Sequence, residues 1–503
     1  MPRHTTPLLV FLLGLLAIGS FAQSETQTAT SPEPRPDTDR WYEIWIDDSR
    51  SGWSHETVTA EDGRITTHSE MSMTIGRADQ AITIHTVSSF IETLAGQPIE
   101  MVVSQSLGQT PIESTYTFRE GDVLVTSTQD GSARQTSMPT PEGDWLPPAA
   151  AARFLAQRLA SGATEITSRT LDPSNGLTVV TTTRTGIAPA EIEVLGTPTD
   201  CFHTKSTTIA GPVTVEAEEW LAADGAMLRN ETTLGGMKIT IIASSREEAL
   251  RDADPAEIMV STFVKPSRVI RNARTRQRGV YEVRLSAGTM PVLPTSAYQR
   301  VEPIGDGAVR VTVDMATPTP AGELNRDTFL TATTYADAED SVIRELTTKA
   351  LAEVDDAPEA RAEALRRFVF TYITDKNLGT AFATASETAR SARGDCTEHG
   401  LLLAAMLRAA DIPSRIAIGV VYVEYFAGQR HVFGYHLWTQ ALLETDAGPA
   451  WIDLDATLNA REPFDATHIA FAVNSLEEGK AVNSLASIAP LLGLLEIDVK
   501  EIE

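Results

Sequence analysis

Two cysteines in 503 residues are too few to staple a fold with disulfides or to build a four-cysteine zinc site. Basic residues are scarce as well: 41 Lys plus Arg stand against 68 Asp plus Glu, a formal charge of −27. A surface of that sign repels phosphate, which excludes nucleic acid as the main partner. No low-complexity tract dominates the chain. Beyond the first two dozen residues no run is apolar enough to cross a bilayer, so no membrane span is expected. What is present is ample core material, 42% hydrophobic against 22% charged, enough for about two to four domains at roughly 100–200 residues each.

The first segment reads as an address. Arg3 and His4 precede an apolar run from Leu8 to Ile18, followed by Gly19-Ser20-Phe21-Ala22. The run is short of the ~20 residues that span a bilayer, and the small residues at Ser20 and Ala22 fit cleavage after Ala22. Residues 1–22 are therefore expected to be a signal peptide, and the mature protein to be soluble in a periplasm or beyond. Residues 23–40, rich in Ser, Thr, Pro and Glu, read as a disordered linker.

From 41 to 250 the signal is β. Trp41-Glu43-Trp45 alternates with Tyr42-Ile44-Ile46, and turn pairs such as Asp62-Gly63, Glu120-Gly121 and Asp130-Gly131 punctuate β-branched runs. One helix, Pro148 to Ala160, interrupts it. The pattern predicts a large antiparallel sheet, a curved sheet or half-barrel that resembles periplasmic lipoprotein-carrier-like domains. Residues 251–322 read as a small β segment and linker. The segment carries Lys265, Arg268, Arg271, Arg274, Arg276 and Arg278 with no acid among them. This basic cluster is either a solvated face or a dock for an anionic glycan or an acidic neighbouring domain. From 323 to 503 the period turns helical and then returns to strands. The fold class is thus α+β and multidomain.

The chemistry concentrates between Gly394 and Thr457. In Gly394-Asp395-Cys396-Thr397-Glu398, Asp395 is a good N-cap and Glu398, three residues on, closes a capping box. Cys396 then opens a helix, where free N–H groups favour a thiolate. The run Leu401 to Leu407 is apolar nearly all round, which predicts a buried helix. Three strands come next, Ile416 to Val423, Tyr435 to Leu443 and Ala450 to Asp455. Parity puts His436, Trp438, Gln440 and Leu442 on one face, and Trp451, Asp453 and Asp455 on one face of the next strand. Direct pairing of His436 with Asp455 centres the hairpin between Thr445 and Asp446. A one-residue earlier centre would select Asp453 instead, so geometry leaves both acids open. A carboxylate beside an imidazole fixes its tautomer, and a cysteine facing it completes a thiol triad.

These residues resemble a family. Gly394-Asp395-Cys396-Thr397-Glu398-His399-Gly400, Ile412-Pro413-Ser414-Arg415, Tyr435-His436-Leu437-Trp438 and Trp451-Ile452-Asp453-Leu454-Asp455-Ala456-Thr457 look like the core of the transglutaminase-like superfamily. That fold is a rearranged relative of papain-type cysteine proteases, and the likeness spans about 340–457. The resemblance implies catalytic Cys396, His436 and Asp455, with Asp455-Ala456-Thr457 in the place of an Asp-Pro-Thr-like motif. It also implies an acyl-thioester mechanism on a peptide or carboxamide bond. Animal transglutaminases carry a tryptophan upstream of the cysteine, and this chain has none between Trp220 and Trp438. Hydrolysis, as by a protease or amidase, is therefore favoured over cross-linking. The backbone N–H of Cys396 is the natural first oxyanion donor.

No cofactor and no metal are expected. The Cys396/His399 spacing and the pair His431 and His436 lack a second nearby cysteine for zinc, and Cys201 reads as a core residue. The expected partner is a protein or peptide substrate, with cell-wall peptide among the candidates. The alternative is a non-catalytic binding or scaffolding protein that uses its β regions and keeps a vestigial transglutaminase-like fold.

Overall fold

The computed structural model describes residues 38–172, 176–211, 213–478 and 488–503. The expected signal peptide and most of the linker at 23–40 lie outside the described residues. Among the described residues, fourteen strands form one antiparallel sheet. Eight of them, from Thr38–Ile46 to Ser132–Pro139, succeed one another as a meander. Six more, from Glu165–Leu171 to Met237–Ser244, form a second meander whose last strand returns to the first strand, pairing Tyr42 with Ala243. Tight turns make this topology cheap: Asp62-Gly63 and Asp130-Gly131 both have positive φ at their two central positions, the geometry that matches strand twist. The helix Pro148–Ala160 forms where it is expected, with Pro at its first turn and Leu155 and Leu159 buried.

The segment 251–322 is joined to the C-terminal part of the chain by a shared sheet. Its strands Arg278–Leu285, Gln299–Gly305 and Ala308–Asp314 form four strands together with the C-terminal strand Leu495–Ile502. The basic cluster is used internally: Arg274 pairs with Asp465, Arg278 with Glu501, and Arg268 donates to the Lys500 carbonyl.

The remaining sheet orders its strands as Gly448–Leu454, Gln429–Thr445, Ser414–Phe426 and His468–Asn474. The helix Cys396–Ala409 packs against the long strand Gln429–Thr445, and Thr439 Oγ1 donates to the Gly400 carbonyl at 2.9 Å. Thirteen of the fourteen residues of this helix are buried, as its all-round apolar sequence demands. One contiguous core joins Ile44, Ile46 and Ile75 of the large sheet to Leu401–Leu407 of this helix and Val499 of the last strand. The β-rich part and the α+β part are packed together rather than tethered.

Candidate active site

Gly394 prepares the site. Its φ of +139° suits glycine, and a Cβ there would lie 2.4 Å from the Glu398 Cβ. Asp395 then caps the helix: its Oδ1 accepts from Thr397 N at 2.9 Å, and its own N–H donates to Glu398 Oε2 at 2.8 Å. The expected capping box is present, and Cys396 is the first helical residue.

The hairpin register differs from expectation. The ladder runs from Thr445–Gly448 to Thr439–Leu454, which sets Gln440 opposite Asp453. That is two positions from the register in which His436 faces Asp455 directly. Asp455 instead lies one residue past the end of its strand and reaches His436 from there, with Oδ2 2.8 Å from His436 Nε2. Because the ladder has already ended, the strand edge beside His436 is open, and the Leu437 N–H donates to Cys396 Sγ at 3.1 Å. The structure thus brings Cys396, His436 and Asp455 to one place. Asp453 has another duty, accepting from Trp438 Nε1 and Gln440 Nε2 at 2.7 Å each.

Asp455 is held by more than the histidine. Its Oδ1 accepts from the Thr457 N–H at 2.8 Å and the Thr457 hydroxyl at 2.7 Å, and its Oδ2 lies 3.3 Å from His468 Nε2. Although burial opposes it, the two imidazoles hold the Asp455 carboxyl well below the usual carboxylate range. His468 is fully buried, yet its pKa is raised to about 9 against that burial, by Asp465 and Asp455. It is an imidazolium at neutral pH. The sequence reading missed His468, although a signal existed. The triplet Asp-Ala-Thr occurs twice, at 455–457 and 465–467, and both copies fold the aspartate onto its own threonine N–H and hydroxyl. His468 directly succeeds the second copy.

The site is closed to solvent: Cys396 is 0% exposed, His436 1% and Asp455 2%. Burial, and then the Asp395 carboxylate, push the Cys396 thiol well above its ordinary value, while the Leu437 N–H pulls the other way. The expectation that the helix N-terminus makes this cysteine unusually acidic is overturned for the closed state, because desolvation outweighs the partial charge of the helix end. Glu398 is pushed well above the usual carboxylate range by burial and then by Asp395. His399 is driven down to about 3 by burial and then by Lys376, and is neutral. His436 Nδ1, the nitrogen turned away from Asp455, has no hydrogen-bond partner among the described residues.

His436, Asp455 and His468 offer three ligand atoms within 4.8 Å of one another. Within this cluster both His436 Nε2 and His468 Nε2 lie within hydrogen-bond distance of Asp455 Oδ2. Cys396 and His399 are not part of this cluster, and His399 Nδ1 bonds the Asp395 carbonyl at the helix start. Cys201 is a buried free thiol in the large sheet.

Residues 344–456 match the model of the transglutaminase-like superfamily core. The match marks this part of the chain as transglutaminase-like. No curated protein matches the chain. Among solved structures, the chain is similar to a candidate cysteine protease from Cytophaga hutchinsonii, at 14% identity and a TM-score of 0.26, over 45% of this chain and 86% of that one. It is also similar to a β-barrel-like protein of unknown function from Brucella abortus, at 10% identity and a TM-score of 0.33, over 42% and 96%. A third likeness is to a candidate protease from Parabacteroides distasonis, at 12% identity and a TM-score of 0.18, over 78% and 64%. No helix among the described residues is long and apolar enough to cross a membrane.

Proposed function

We propose that the protein is an exported thiol acyl-enzyme that cleaves a peptide or carboxamide bond by way of a thioester on Cys396. The observation that carries this reading is the pair of contacts at one strand edge. Asp455 binds His436 Nε2 at 2.8 Å, and Cys396 Sγ sits on the amide of the very next residue. Asp455 holds the proton on Nε2, which leaves Nδ1 as the base. His436 Nδ1 takes the thiol proton as Sγ attacks the carbonyl carbon. The tetrahedral intermediate collapses when His436 returns that proton to the departing amine. Water then attacks the thioester, with His436 again the base, releasing a carboxylic acid and the thiol. A primary amine in place of water would give a cross-link. Hydrolysis is favoured over the cross-link by the same sequence feature, no tryptophan between Trp220 and Trp438.

The buried thiol implies that turnover includes an opening step that admits substrate and rehydrates the site. The same burial is what favours the second reading, a vestigial site in a binding protein. The two separate in one experiment. The full chain is incubated with a mixture of synthetic peptide amides and hydroxylamine, with mass spectrometry of products and of Cys396. An enzyme gives peptide hydroxamates by capture of the thioester, and none with His436→Ala. No hydroxamate and no acylated Cys396 from the unaltered protein would leave the binding reading in place.

A further inference from the structure

Arg77 carries a contact from the large sheet to the start of the helix Cys396–Ala409. Arg77 ends the strand Arg64–Arg77 and is 0% exposed. The hairpin tip that carries it is fixed by the Gly76 N–H on the Ala256 carbonyl at 2.8 Å and the Ala78 N–H on Glu257 Oε1 at 3.0 Å. From there the guanidinium makes three bonds into the transglutaminase-like domain. One nitrogen donates to the Leu378 and Thr380 carbonyls at 3.2 and 2.7 Å, and another to Asp395 Oδ2 at 2.9 Å. The carbonyls belong to a loop that wraps the start of the helix: Gly394 N–H bonds the Asp375 carbonyl, and Ala383 N–H bonds Glu398 Oε1. Leu107 of the sheet region adds a second tie, accepting from Ala381 and Phe382.

We propose that Arg77 is a positioning residue of the active site: it neutralises the Asp395 carboxylate beside Cys396 and locks the surrounding loop, so the β-rich part completes the thiol's electrostatic environment. A buried guanidinium is placed here at considerable desolvation cost, offset by the paired Asp395 carboxylate and the two loop carbonyls, while its Nε has no partner among the described residues. Asp395 and Glu398 face the thiol from its own helix. His436 comes from the strand Gln429–Thr445, and Asp455 lies just beyond the strand Gly448–Leu454. Lys376 of the loop acts on Asp455 and His399. Of these, Asp395 adjoins Cys396, and it is the carboxylate that Arg77 contacts. Asp395 raises the thiol even with Arg77 in place; without Arg77 the same carboxylate, left with the Thr397 N–H, would oppose thiolate formation more strongly.

This role rests on Cys396 being the nucleophile of the proposed acyl-enzyme, but its test reads the thiol itself and needs no substrate. Thiolate ultraviolet absorbance of the full chain, corrected with Cys396→Ser, is followed against pH. Arg77→Gln should raise the Cys396 midpoint by about one to three pH units, the range by which a nearby arginine favours an anion. Asp395→Asn keeps a good N-cap but frees the Arg77 charge, and should lower the midpoint. The double variant should return close to the unaltered protein. A clamp that is merely structural would shift both single variants in the same direction and leave the double no better than the worse one. That result would overturn the proposal, as would a folded Arg77→Gln protein with an unmoved midpoint. Should Arg77→Gln fail to fold, the double variant is compared with Asp395→Asn: a higher midpoint in the double variant supports the charge role of Arg77, and equal midpoints refute it.

Discussion

Asp455→Asn is the most informative single change at the site, because the surroundings dictate how the amide must sit. Thr457 donates to Oδ1 through its N–H and its hydroxyl. An asparagine must keep its carbonyl oxygen there, which turns its NH2 toward His436 Nε2. Two donors cannot face each other, so His436 loses the proton on Nε2 and carries it on Nδ1. The nitrogen that should take the thiol proton is then already occupied. Loss of the carboxylate also removes support for the imidazolium. Together these should reduce turnover by about 10²- to 10⁴-fold, or roughly 3 to 5 kcal/mol in the barrier. A thiol enzyme sits toward the smaller loss, since its nucleophile ionises more easily than a serine. His468 would lose one of its two carboxylates. Stability should fall toward the low end of the roughly 3–5 kcal/mol typical of a broken buried pair, because Asp465 remains. The assay is turnover of a peptide amide, with circular dichroism for folding and nitrogen NMR for the His436 tautomer. A folded variant that retains Nε2 protonation, or works within tenfold of the unaltered protein, would refute the reasoning.

Asp453→Asn should leave turnover within about tenfold and cost about 1 kcal/mol in thermal unfolding, since the amide oxygen can still accept from Trp438 and Gln440. His468 has a folded value near 9 against an ordinary value near 6.5. Its charged form therefore adds stability that is complete below about 6.5 and is lost as pH rises through 9, on the order of 3 kcal/mol. Urea unfolding should show this slope in the unaltered protein and not in His468→Gln; equal slopes in both would dismiss the charge assignment. Thiolate ultraviolet absorbance assigned to Cys396 should show a midpoint above the ~8.5 of a free thiol, and a midpoint well below that would contradict the desolvated site. A proteolytic cut in the Thr317–Gly322 stretch should leave fragments that co-elute under native conditions, because Arg278–Leu285 stays paired with Leu495–Ile502. Fragments that separate freely would support independent folding units on either side of 322.

Local chemistry in the chain was enough to determine a good deal. Alternation and Asp-Gly turns specify the strands of the first region, because period two and positive-φ turns are properties of neighbouring residues. The capping box around Cys396 is likewise local, needing only Asp395 and Glu398 at the right spacing. The family motif depends on residue types in order, so Cys396, His436 and Asp455 could be picked out before any contact was known. The hairpin register could not, since the turn sequence admits several centres, and the observed one carries Asp455 past the end of its strand.

Burial and long-range pairing were decided only by the tertiary structure. Cys396 looks acidic at a helix start, and becomes a suppressed thiol once the closed site removes water from it. Arg77 is 318 residues from Asp395, and no spacing rule connects a strand-end arginine to a distant helix cap. His468 becomes a charged second histidine only because its strand pairs beside the one carrying Gly419, which lies opposite His436. A Cβ at Gly419 would meet the Ile469 carbonyl oxygen at 1.9 Å, so even that glycine's role depends on the assembled sheet. Electrostatics in a buried site is set by what surrounds each group in space, and a linear pattern carries no record of which distant residues those are.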